Sequence, residues 1–234
     1  MKRDAIEKIV DLSDKEVLEV GDFKYIKDGY EKVNLPNVNT LLVRTLRGFV
    51  EFVKDFKVPE NEELMILVND HHSADLVGKI DPIYKNRQIY CSSKININMP
   101  IFNEWRRAED FNIFIQVFFN DKGDKKIVLD TMSRVTNEAS EITSDDGTKQ
   151  DVTLRKGVTL RDNAVVPNPC SLAPKRTFPE IDQPESKFVL RVDKQACIKL
   201  FEADGGHYKL DAIQGIKDYI KENLGDNIKI PIIG

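Results

Sequence analysis

Thr40-Leu-Leu-Val-Arg-Thr-Leu-Arg-Gly-Phe-Val-Glu-Phe-Val-Lys-Asp-Phe56, followed after a polar turn by Glu63-Leu-Met-Ile-Leu-Val68, places a helical and an extended pattern side by side. In the first segment Leu42, Leu46, Phe49, Val50, Val53 and Phe56 form one apolar stripe at helical spacing, with Asn37 and Asn39 as N-cap candidates and Pro59 as the stop. The second is a short apolar run bounded by turn residues, which reads as a strand. Ala74–Ile80 and Gln88–Ser92 follow it as two more strands.

The same alternation of types runs outward in both directions. On the N-terminal side, Val17 to Ile26, broken at Gly21, reads as an extended pair, and Ala5, Ile6, Ile9, Val10 and Leu12 as a short amphipathic helix. On the C-terminal side, Phe111, Phe114, Ile115, Phe118 and Phe119 give the segment Asn103–Phe119 a helix with an aromatic inner face. A turn at Asp121–Asp124 then leads into a helix over Lys125–Val135. Beyond Thr136 the residues change character. Asp145-Asp146-Gly147 signals a hairpin, five prolines between Pro167 and Pro184 confine any strand there to an edge, and Phe188–Val192 with Ala196–Phe201 forms a second hairpin. Leu210, Ile213, Ile216, Ile220 and Leu224 line one face of a final helix with Gly225 as its C′ residue. Ile228–Ile233 is apolar enough to add a last strand or to pair with a partner. The expected class is α+β, with a mixed helical and strand lobe over 1–136 and a strand-rich lobe over 137–234 closed by a C-terminal helix and strand. No internal repeat is present.

Composition excludes several classes of function. Hydrophobic residues make up 41% and charged residues 32%, which suits a chain that folds. Lys and Arg number 35 against 39 Asp and Glu, a formal charge of −4, so no overall positive field favours phosphate backbones and direct DNA contact is disfavoured. Cys91, Cys170 and Cys197 are far apart and lack zinc-site spacing, which suits reduced thiols in a cytoplasm. The first dozen residues have no signal-peptide core, and no apolar run approaches the ~20 residues that span a bilayer.

Three clusters carry residues able to recognise a ligand. His71-His72, within Asn69-Asp-His-His-Ser-Ala-Asp75, bring imidazoles and carboxylates to a turn between two strands. A polar turn is favoured there over small-ligand contact, and no metal is expected because the spacing matches no arrangement such as HExxH. Gly205, Gly206 and His207, within Glu202-Ala-Asp-Gly-Gly-His207, stand at a strand-to-helix junction where backbone amides can approach a phosphate, but the segment carries its own negative charges and a structural turn feeding the C-terminal helix is favoured. Trp105, Arg106 and Arg107 stand among Glu104, Glu109 and Asp110. The arginines offer planar forks for phosphate or carboxylate. The competing reading has them paired locally while Trp105 fills the core. No serine or cysteine sits in a GxSxG setting, so neither a catalytic residue nor a cofactor is expected.

The stretch Thr40–Lys54, together with Glu109–Gln116, Val166–Pro169, Lys175-Arg-Thr-Phe178, Gln183–Ser186 and Leu200–Gly206, resembles a conserved hypothetical protein of tailed phages and prophages related to the YfdQ-like family of unknown function. The resemblance implies expression in the host bacterial cytoplasm and action on host machinery, immune signals or phage DNA. With no catalytic motif, the leading expectation is a non-enzymatic, oligomeric binding protein that counters host defence. It would sequester a nucleotide-type signal or block a defence protein. An accessory factor of phage replication or recombination is the alternative, and an enzyme acting on nucleotides the third class. Self-association is expected from the apolar tail and the aromatic helix.

Overall fold

The structure, a computed structural model, describes residues 39–59, 62–82, 85–133, 167–193 and 195–234, together with the backbone of the strands within 17–32 and 140–165. The helix expected over the first dozen residues lies outside them. β1 (Val17–Val20), β2 (Phe23–Ile26) and β3 (Glu31–Lys32) form an antiparallel sheet, which contains the extended pair expected on either side of Gly21.

The stretch that opens the sequence reading divides in two. Leu41–Val43 is a strand, β4, and the helix α1 starts only at Leu46 and runs to Asp55. Thr45, not Asn37 or Asn39, is the N-cap: its backbone is extended and its hydroxyl accepts from the Gly48 amide at 3.1 Å. A hydroxyl in that position satisfies one of the free amides of the first turn; Asn37 lies outside the described residues. Leu42 therefore leaves the helical stripe and is exposed, whereas Leu46, Phe49, Val50 and Val53 are buried.

β5 (Met65–Asp70), β6 (Ser73–Ile80) and β7 (Arg87–Lys94) are the three consecutive strands expected, paired antiparallel. With β4 parallel to β7 on one side they build most of a five-stranded sheet. β8 (Arg106–Arg107) precedes α2 (Ala108–Phe118), so this helix begins five residues later than Asn103. Asn103 has a φ of 62° and Arg107 is extended, conformations that no helix contains. After the turn, α3 spans Lys125–Ser133. β9 (Ser140–Asp145) and β10 (Gln150–Lys156) form the hairpin signalled by Asp145-Asp146-Gly147, and β11 (Thr159–Val165) completes that sheet. β12 (Cys170–Leu172), β13 (Ser186–Val192) and β14 (Cys197–Glu202) pair antiparallel, with β8 on the far edge of β14. α4 (Tyr208–Leu224) buries Ala212, Ile216, Ile220 and Leu224, and Gly225 at φ 75° closes it by donating to Lys221. Leu210 falls outside this face and is exposed, because a four-residue repeat running from Ala212 turns it toward solvent. β15 (Ile232–Ile233) pairs parallel with β5 as the outer strand of that sheet, so the tail adds the last strand expected of it.

Two apolar cores result. α2 and α3 lay Phe111, Phe114, Ile115, Val128 and Met132 on Leu172, Phe188, Leu190, Ile198 and Leu200. α1 and α4 lay Phe49, Val53, Ile216 and Ile220 on Ile66, Val68, Leu76 and Cys91. Each core takes residues from both sides of position 136. The aromatic face of α2, a ground for expecting self-association, is consumed by the first core. The architecture is α+β, and among the described residues no helix is long and apolar enough to cross a membrane.

Candidate functional site

Between β12 and β13 the chain runs through Ala173–Glu185 without regular pairing, apart from a single bridge of Pro174 to Phe119, and it touches both cores. Phe178 is fully buried in the second core. Gln183 takes over the role that strand partners would play. Its Oε1 accepts from the amides of Arg176 at 2.8 Å and Thr177 at 3.1 Å, and its Nε2 donates to Phe178 O at 2.9 Å and to Thr177 O and Ile181 O at 3.3 Å. One buried amide thus supplies the partners that a buried loop backbone requires.

The Arg176 side chain, with 4% of the residue exposed, enters a polar junction. Its guanidinium donates to Glu202 and, at 2.5 Å, to Ser186 Oγ, while lying 3.3 Å over the centre of the Tyr208 ring. Ser186 Oγ donates onward to Asp204 Oδ2 at 2.7 Å. Burial draws the pKa of Arg176 down, against the neighbouring Tyr208, Glu202 and Asp204, which support its charge. For Asp204, burial pushes upward, but hydrogen bonds from Ser186 and the Gly206 and Tyr208 amides outweigh it and hold the carboxyl below its ordinary value.

The His71 ring stands edge to face with Tyr208, centroids 5.4 Å apart, and its centroid lies 4.5 Å from that of His72. The β5–β6 turn and the start of α4, two of the three clusters singled out in the sequence, therefore converge. Burial lowers the pKa of His71, and the neighbouring His72 adds to that effect, so the fold favours the neutral ring. Asp70 organises the turn: its Oδ1 accepts from the His72 amide at 2.8 Å and from Ser73 Oγ at 2.9 Å. Burial raises its pKa, yet these bonds and the two imidazoles leave it lowered overall.

On the other side of the loop lies a cavity of about 350 Å³ lined by Asn98, Val117, Phe118, Asn120, Thr177 and Pro179, with Ile97, Lys175 and Gln183 completing it. That volume falls in the range of small-molecule sites, ~300–1,000 Å³, which combine apolar walls with a few polar groups. Neither the Asn98 nor the Asn120 carboxamide has a hydrogen-bond partner among the described residues, and the buried Thr177 hydroxyl has none either. Lys175 donates to Val117 O at 2.8 Å, which leaves two of its ammonium protons unassigned.

No family model, no curated protein and no solved structure matches the chain.

The remaining sequence candidates keep to their non-functional readings except at Trp105. Trp105, expected to fill the core in the non-functional reading, is 49% exposed with Lys199 5.4 Å from its ring. Arg106 does pair locally with Glu104 at 2.7 Å, and it also bonds Ile101 O and lies over Phe114, which commits its fork. Arg107 is exposed. This cluster pairs with Cys197 and Ile198 at the far end of β14 from Glu202, roughly 15 Å away at a strand's rise per residue, so it does not join the junction. Gly205 and Gly206 have the positive φ of a cradle, 63° and 83°, but Asp204 already occupies it: the carboxylate accepts from Gly206 N at 3.0 Å and Tyr208 N at 3.4 Å. An anion meets a carboxylate there instead of free amides. His207 is exposed, 3.9 Å from Asp211. The cysteines are free thiols, with burial raising Cys91 to about 11 and Cys170 to about 12. Arg176, Thr177, Asn98 and Asn120 were not among the sequence candidates, and no spacing rule singles them out.

Proposed function

We propose that the chain is a non-catalytic binding protein that sequesters a small nucleotide-type ligand, taking the base into the cavity beside Phe118. The observation that carries this reading is the pairing of apolar and aromatic walls with two unengaged carboxamides, Asn98 and Asn120. A carboxamide offers a donor and an acceptor side by side, the complement of a base edge, and an aromatic ring gives a base a face to stack on. Lys175 at the same cavity supplies a point charge for a phosphate. Among its described lining residues none carries a carboxylate, imidazole or thiol, the groups on which acid–base and nucleophilic chemistry depend. This composition supports holding a ligand over converting it. In the phage setting that the sequence resemblance implies, withdrawing a nucleotide signal from the host is the matching role.

Purified protein titrated with adenine and guanine mononucleotides and with cyclic dinucleotides should bind at least one of them and release it intact on denaturation. Asn120→Ala should weaken that binding about tenfold, the worth of one net hydrogen bond of ~1.4 kcal/mol. Absence of binding at millimolar ligand, or equal affinity in the variant, defeats the assignment of the cavity. Recovery of a converted nucleotide defeats the non-catalytic part alone.

A further inference from the structure

The β5–β6 turn gathers donor atoms in a way that the spacing of its residues does not advertise. One ligand atom each from Asp70, His71 and His72 lie within 4.8 Å of one another. The turn is held in this shape by its own backbone and by pairing of Asp70 with Ser73 across the hairpin. All the hydrogen bonds to Asp70 reach Oδ1, so among the described residues Oδ2 has no partner. His72 Nδ1 stands 2.5 Å from Asp70 Oδ1, near enough for an ion pair, yet it is buried without the alignment of a hydrogen bond. His71 packs edge to face with Tyr208, which restricts its ring.

We propose that Asp70, His71 and His72 form a binding site for a divalent cation of the borderline class, such as Zn²⁺, reversing the expectation of no metal drawn from sequence spacing. Two imidazole nitrogens and one carboxylate oxygen are the donor set that such ions favour over magnesium or calcium, which take oxygen ligands. Ligand atoms on a tetrahedral zinc stand about 3.3 Å apart at bond lengths of ~2.0 Å, so a set already within 4.8 Å of one another needs only a modest closing movement. Three protein ligands leave a coordination position open to water or an added ligand. This site is independent of the cavity beside Phe118.

The test is calorimetric titration of the untagged, chelator-treated protein with Zn²⁺ alone, together with the visible spectrum of its Co²⁺ form. The expected result is one ion per chain and intense cobalt bands of a low-coordinate N/O site. His71→Ala should weaken binding at least tenfold. Asp70→Asn, which keeps an acceptor for the turn amide but loses the charge, should weaken it similarly, with circular dichroism of the metal-free variant showing that the fold is retained. His207→Ala should change nothing. Failure of the wild-type protein to bind Zn²⁺ at about 100 µM overturns the proposal. So does binding that survives loss of both His71 and His72.

Discussion

Arg176→Met should lower the stability of the protein by about 3 kcal/mol, read as a reduced denaturant midpoint at unchanged slope. Arg176 is almost wholly buried, and its guanidinium holds Glu202 and Ser186 while stacking on Tyr208. Methionine fills much of the volume but leaves Ser186 and Asp204 without the cation that orders them. Breaking a buried ion pair commonly costs ~3–5 kcal/mol. The low end applies because the Glu202 side chain is 41% exposed and regains water. Arg176→Lys should recover only part of the loss, since an ammonium does not reproduce a planar fork that both bridges two oxygens and stacks. An unchanged midpoint in Arg176→Met would mean that the junction contributes no net stability.

Gly123→Ala should be of similar size, about 3 kcal/mol, for an unrelated reason. Gly123 has a φ of 56°, and a Cβ built there stands 2.3 Å from the carbonyl oxygen of Ser171, a backbone atom that cannot step aside. Asp124 fixes that approach twice, its amide donating to Ser171 O and its carboxylate accepting from Ser171 N, both at 2.7 Å. The turn between α2 and α3 is therefore clamped onto β12. Gly205→Ala provides the internal comparison. Its φ is also positive, at 63°, but a Cβ there meets nothing within 4 Å, so only the backbone preference of about 1 kcal/mol is at stake. Equal losses in the two variants would show that contact with Ser171 is not what makes position 123 intolerant.

The elements that could be read from the sequence are those whose burial follows a single period. Ile66 and Val68 on β5 and Ile216, Ile220 and Leu224 on α4 face one core each, and their spacing reports it. Leu42 was misleading because a strand and a helix in succession happened to keep one helical phase across Thr45, and a hydroxyl that caps a helix looks no different in sequence from one that does not. The candidate sites were legible only in part. His71 and His72 stood out by residue type, but their approach to Tyr208 depends on two elements more than 130 residues apart. Asn98, Asn120 and Thr177 come from three separate connections. Amides and hydroxyls in connections are ordinary, and only tertiary packing turns them into walls of one cavity. Arg176 lay in a proline-rich stretch whose lack of periodicity concealed that it is buried.

The interleaving of the two cores bears on how the molecule comes apart. α2 and α3 complete a core with β12–β14, while α4 and β15 return to complete the one begun by α1 and β5–β7, and Ala173–Glu185 is pinned between them by Gln183. Opening the first core frees the loop that carries Phe178 and Ile181, and with it part of the wall of the second. Fluorescence from Trp105, beside the first core, and hydrogen exchange at Ile66 and Val68, in the second, should therefore lose their native signals at a single midpoint. Two separated midpoints would instead mark the cores as independent folding units.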